Sequence, residues 1–295
     1  MNITGLNFAP DFAWIKSRSA ATDHAVYDSV RGVQKRLETN TTDAEATSDG
    51  GVTAFNSNGV TLGTLAQVNT NAATYALWAM KKGVTPGFDV VTGTSGASPI
   101  AHSLGVKPAM IIAKGTSTGG YNWVVTHKEL GTNMQDYYIR LNTTDSAVNS
   151  AGAWGGEPTS TQFYAATTVM GATYNLVAYL FAGVEGFSKF GKYTGNGGAD
   201  GPFVWCGFRP KFVLIKIASG SSYWSIKDNQ RSPYNPSEID LRPNASDSDR
   251  TGIRPVDFLS NGFKIRNTDT DHNTSSATYI FAAFAEAPFK YARGR

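Results

Sequence analysis

The chain is short of cysteine, of charge and of long apolar runs. Its one cysteine, Cys206, excludes an intrachain disulfide and a cysteine-based zinc cluster. Flanked by Trp205 and Gly207, it reads as a small buried hydrophobe. Charged residues make up 17% of the 295 residues, against roughly 25% in ordinary soluble proteins. The 26 basic and 23 acidic residues leave a net charge of only +3, and no Lys/Arg run exceeds two. That is no basic stripe for nucleic acid. No apolar run reaches 18 residues, so no membrane insertion is expected. The start, Met1-Asn2-Ile3-Thr4-Gly5, lacks the basic and apolar regions of a signal peptide. Asn-x-Ser/Thr triplets such as those at Asn142 and Asn244 arise by chance in a chain this rich in Asn and Thr. Helical periodicity is weak throughout, and abundant Thr, Asn and Gly suit strands and tight turns.

What is present is repetition. Pro10-Asp11-Phe12-Ala13-Trp14-Ile15-Lys16 returns as Pro108-Ala109-Met110-Ile111-Ile112-Ala113-Lys114 and as Pro210-Lys211-Phe212-Val213-Leu214-Ile215-Lys216. A Thr-Tyr pair follows each proline by 64, 65 and 68 residues, at Thr74-Tyr75, Thr173-Tyr174 and Thr278-Tyr279. Internal repetition decides architecture before local pattern does. The expected fold is all-β: three tandem, related β-sandwich-like units with pseudo-threefold internal repetition. The expected bounds are 1–93, a divergent middle unit 94–195, and 196–295. Phe55-Asn56-Ser57-Asn58-Gly59-Val60 and Phe258-Leu259-Ser260-Asn261-Gly262-Phe263 predict hairpins, since Asn-Gly between apolar runs favours a two-residue turn. The middle unit lacks this hairpin and carries a glycine-rich loop around Trp154. Gly87–Thr94 and Gly191–Gly197 are read as linkers that close the first and second units, and the third stops at Phe289-Lys290-Tyr291.

Catalytic patterns are missing. His24, His102, His127 and His272 sit at unrelated positions within the units, and nothing in the sequence supports a triad built on any of them. Asp28 and Asp228 recur, but each precedes an arginine by three residues, which predicts a local Asp–Arg pair or an Asx turn. Asp269-Thr270-Asp271-His272-Asn273 offers oxygen ligands without the glycine and distal glutamate of a calcium loop, so it reads as a solvated turn, as does Asp247-Ser248-Asp249. Neither glycine cluster, at Gly93–Gly96 or Gly195–Gly201, is followed by the Lys-Ser/Thr of a phosphate loop. No cofactor, metal or catalytic residue is assigned. Most tryptophans read as core. Trp154 is the candidate binding residue, because Gly152-Ala153-Trp154-Gly155-Gly156 supplies little side chain to bury an indole, and an exposed indole stacks on sugars or anchors protein contacts. The alternative is that it folds back to cap the middle unit.

Four strings resemble a repeat found in virion proteins of tailed phages, commonest in phages of aquatic bacteria. They are Phe12–Arg18, His24–Gly32, Val256–Phe263 and Phe281–Phe289; Tyr193–Gly197 before Gly207–Pro210 is similar too. The resemblance covers nearly the whole chain and is strongest in its last third. It implies no reaction and no site residues. It implies a tail-fibre, tail-associated or capsid-decorating protein, assembled in the host cytoplasm and surface-exposed on the virion, with other virion proteins as partners. The leading expectation is an adhesin for a host surface glycan, working as a pseudo-trimeric monomer or a homotrimer. A capsid or tail decoration protein is the alternative, and a polysaccharide depolymerase the third reading.

Overall fold

A computed structural model describes residues 1–285. The calls on Phe289-Lys290-Tyr291, and the end of the string Phe281–Phe289, lie outside them. The described chain is all-β, 42% strand and 4% helical, in separate antiparallel sheets.

Each third of the chain contributes one large and one small sheet. The first large sheet runs Ala46–Thr47, Gly32–Leu37, Ala25–Asp28, Phe12–Ser17, Tyr75–Met80, and faces a small sheet of Asn2–Thr4, Gly59–Leu62 and Val52–Asn56. The middle large sheet runs Val148–Asn149, Tyr137–Arg140, Val124–His127, Met110–Gly115, Asn175–Phe181, Phe88–Thr94, with only the pair Gly96–Ala101 and Gln162–Ala165 opposite. The last runs Ser188–Thr194, Thr278–Ala285, Pro210–Ile217, Ser225–Asp228, opposite Phe203–Trp205, Gly262–Ile265 and Val256–Leu259.

Both Asn-Gly hairpins form, with Asn56 opposite Gly59 and Leu259 opposite Gly262. The glycines also admit a third strand. A Cβ on Gly59 would come within 1.9 Å of the Ile3 carbonyl oxygen, and one on Gly262 within 2.1 Å of that of Val204.

The strand after each proline is buried on both faces, which explains its unbroken apolar sequence. Successive side chains point to opposite faces. Ala13 and Ile15 enter the first sandwich, while Phe12 and Trp14 enter a different, central cluster. Ile111 and Ala113 enter the second sandwich, while Met110 and Ile112 turn to the central cluster. Val213 and Ile215 fill the third, while Leu214 turns inward with the partly buried Phe212. Three private cores thus surround one common core.

The joints differ from the expected bounds. The presumed linker strand Phe88–Thr94 is hydrogen-bonded into the middle sheet, Phe88 opposite Phe181, and Ser188–Thr194 into the last sheet, Ser188 opposite Phe284. Each strand leaves one unit and completes the next, because Phe88 and Val90, like Phe190, gain burial in the central cluster.

Polar bonds stitch the seams at regular intervals. Trp123 Nε1 donates to the Glu38 carbonyl at 2.8 Å, Trp224 Nε1 to the Arg140 carbonyl at 2.8 Å, and His24 Nε2 lies 2.9 Å from the Arg242 carbonyl. The three acceptors are each 102 residues apart. The amides of Glu45, Ala147 and Asp249, again 102 apart, donate to the carbonyls of Thr116, Ala218 and Arg18, each at 2.9 Å. First joins second, second joins third, and third returns to first. Two of the repeated lysines close two of these seams: Lys114 Nζ reaches the Thr42 carbonyl at 3.0 Å and Lys216 Nζ the Thr144 carbonyl at 3.1 Å. Asn142 and Asn244 are structural too, accepting from the amides of Trp123 and Trp224 at 2.9 and 3.2 Å.

Trp224→Phe keeps a smaller buried aromatic ring but removes the indole N–H and strands the Arg140 carbonyl. An unpaired buried acceptor costs about 1–3 kcal/mol. The urea midpoint should fall accordingly with an unchanged slope; a midpoint equal to that of the wild type would contradict the seam bond.

Candidate ligand groove

The residues first suspected of chemistry are held in structural roles. Trp154 is the clearest correction. It is 1% exposed, packs in the middle private core, and its Nε1 donates to the Tyr137 carbonyl at 3.0 Å. Glycines on both sides let the backbone fold tightly enough to bury the indole, where it covers the core that the missing hairpin would have covered.

The histidines are sealed. His24 Nδ1 accepts from Trp14 Nε1 at 2.9 Å, so its proton sits on Nε2, facing the Arg242 carbonyl. His127 Nδ1 accepts from the Glu129 amide at 3.1 Å, and its Nε2 faces the Phe281 carbonyl at 3.2 Å. Burial pushes both down to about 3, with nearby Lys16 adding to the effect at His24 and Lys128 at His127. Burial and the charges of Lys227, Arg254 and Arg242 hold His272 well below its ordinary value.

The recurrent aspartates form the expected Asp–Arg pairs, and both are buried. Arg31 Nε donates to Asp28 at 2.6 Å and Arg231 Nε to Asp228 at 2.7 Å. Each arginine also bonds a second acid, Glu45 at 2.8 Å and Asp249 at 2.9 Å. The neighbouring unit supplies a further donor to each aspartate: Tyr179 Oη to Asp28 at 2.9 Å and Trp78 Nε1 to Asp228 at 3.2 Å.

Both acidic runs depart from the solvated turns expected of them. Asp271 is buried, 2.6 Å from Arg254 and 3.2 Å from Arg242, and Asp269 lies 2.8 Å from Arg254. Asp249 joins Arg18 of the first third, at 2.7 Å, to Arg231 of the last. Asp247 alone stays half exposed. Among the described residues no cluster of His, Cys, Asp and Glu could hold a metal ion.

The exposed indole is Trp205, not Trp154. Trp205 is 58% exposed and Phe203 44%, while Val204 and Cys206 between them point into the third core. Burial pushes the Cys206 thiol up to about 12. Strand alternation over Phe203-Val204-Trp205-Cys206 carried this signal, but an apolar run beside a cysteine reads as core.

Trp205 borders a groove of about 310 Å³. Strands Phe203–Trp205 and Ser188–Thr194 lie at the margins of their respective sheets, so the third sandwich opens between them. Gly191 leaves the space clear above Phe281, whose ring a Cβ would meet at 2.7 Å. The indole rests near Gly207, where a Cβ would approach it to 3.1 Å. Lys189 Nζ lies 5.0 Å from the indole centroid, a cation–π distance. The middle unit closes the rim with Lys128 and Glu129, and Glu129 pairs with Lys192 at 3.4 Å and Lys128 at 3.9 Å. Among the described residues the groove offers an aromatic platform and three ammonium groups to one carboxylate.

An unfolded histidine titrates near 6.5, so between pH 6.5 and 3 the unfolded chain binds protons that folded His24 and His127 refuse. Stability should therefore drop as pH falls below 6.5, by about 1.4 kcal/mol per pH unit per histidine. Urea midpoints that stay level from pH 7 to 5 would contradict this. Iodoacetamide at pH 8 should leave Cys206 unmodified in the native protein and alkylate it in urea, which mass spectrometry reads directly.

Residues 1–288 match the model of a domain of unknown function, DUF7483, and the chain belongs to that family. No curated protein and no solved structure matches it.

Proposed function

We propose that this DUF7483 member is a structural protein of a tailed-phage virion, displayed on the particle surface, whose work is adhesion to a host surface glycan. The observation that carries the reading is the Trp205 groove. A half-exposed indole beside an exposed Phe203, rimmed by flexible lysines, suits the apolar face and hydroxyl edge of a sugar. The resemblance of the strings around Phe12, His24 and Val256 to phage virion repeats supports the location. The closed set of seam bonds favours a pseudo-trimeric monomer over a homotrimer, since the contacts a second chain would supply are made within one.

A non-catalytic role fits the same observations. A depolymerase needs two accessible carboxylates flanking a substrate groove. Asp28, Asp228 and Asp271 are buried and paired with arginines, and among the described residues Glu129 is the one carboxylate lining the Trp205 groove.

Labelled protein should bind host cells, and Trp205→Ala should weaken that binding at least tenfold without moving the melting temperature. Trp154→Ala should do the reverse, destabilising by about 3–5 kcal/mol as a large buried side chain is lost, with cell binding kept below its melting point. Wild-type protein that binds neither cells nor any glycan would contradict adhesion.

A further inference from the structure

The charge around Trp205 narrows the ligand, granted the glycan reading above. We infer that the groove selects an acidic pyranose, one bearing a carboxylate, over a neutral sugar. Among the described residues, Lys128, Lys189 and Lys192 bring three ammonium groups to the rim, and Glu129 offsets one of them. Its two pairs, at 3.4 and 3.9 Å, are long and join side chains that are partly exposed. Surface pairs of this kind contribute little, so a ligand carboxylate displaces them at small cost.

Lys189 ties the charge to the stacking surface. Its Nζ already sits over the indole, 5.0 Å from the centroid. A sugar ring settling on that face moves the ammonium to the ring's edge, where a carboxylate on the pyranose meets it. Lys192 lies along the same strand, and Lys128 approaches from the middle unit. The groove is about 310 Å³, at the small end of ordinary ligand sites, which suits one or two sugar residues. Elsewhere the chain is nearly charge-balanced, so this local excess is not a by-product of a basic protein.

The test is titration calorimetry of the full chain with hexuronate oligosaccharides, neutral malto-oligosaccharides of equal length, glycerol-phosphate oligomers and oligo-dT. The expected result is hexuronate binding at least tenfold tighter than the neutral series at 50 mM salt, with the gap shrinking at 500 mM as charges are screened. Lys189→Gln/Lys192→Gln should remove the gap, bringing hexuronate affinity down to that of the neutral series measured on the same variant. Trp205→Ala should lose both ligands with unchanged circular dichroism and melting temperature. Equal affinity for acidic and neutral sugars overturns the inference while leaving the glycan reading intact. Tighter binding of the phosphate oligomer or of oligo-dT overturns the carboxylate assignment. Binding of no ligand at all, with no cell adhesion, removes the glycan reading and the inference together.

Discussion

Burial of each large sheet on both faces is the constraint from which the rest follows. A sheet with one wet face can stand alone, but these strands place alternate residues in two different cores. Phe12, Met110 and Leu214 belong to a common interior that no third of the chain can complete unaided. Apolar burial of this kind is the main favourable term in folding, and here much of it is available only when all three parts are assembled. The exchange of Phe88–Thr94 and Ser188–Thr194 into neighbouring sheets extends the same dependence to the backbone.

A shared interior forces polar groups inward where the strands leave it. Lys16, Lys114 and Lys216 are fully buried, and burial pushes each down to about 8, so they remain charged at neutral pH. Their ammonium groups are satisfied by carbonyls, Ser17 for Lys16 at 2.8 Å, and Tyr121 and Ser222 for the other two at 2.7 and 2.8 Å. One register position, opposite Phe12, Met110 and Phe212, is filled in two ways. Asp28 and Asp228 occupy it with an arginine, and His127 occupies it in the middle part with the Phe281 carbonyl. An ion pair and a neutral ring do the same work, since each leaves no buried polar atom there unpaired.

The parts of the fold governed by local chemistry were legible in the sequence. The proline-led strands, the Asn-Gly hairpins and the Asp–Arg pairs each need only neighbouring residues. The joints were not, because Gly87–Thr94 looks like a linker until its partner, Asn175–Phe181, is known. Nor was the burial of Asp271, which depends on Arg242 and Arg254 from other loops. The two tryptophans mark the limit most clearly. Glycines around Trp154 suggested exposure, yet they are what allows the chain to tuck the indole in. Trp205 looked like core, yet Val204 and Cys206 take the inward positions and leave it outside.

Differential scanning calorimetry on the full chain tests the common interior most directly. Three sandwiches that share a core should unfold together, in one transition whose calorimetric and van't Hoff enthalpies agree. Separate transitions, or a van't Hoff enthalpy near one third of the calorimetric value, would mean that the three parts are stable alone and that the central cluster does not hold them.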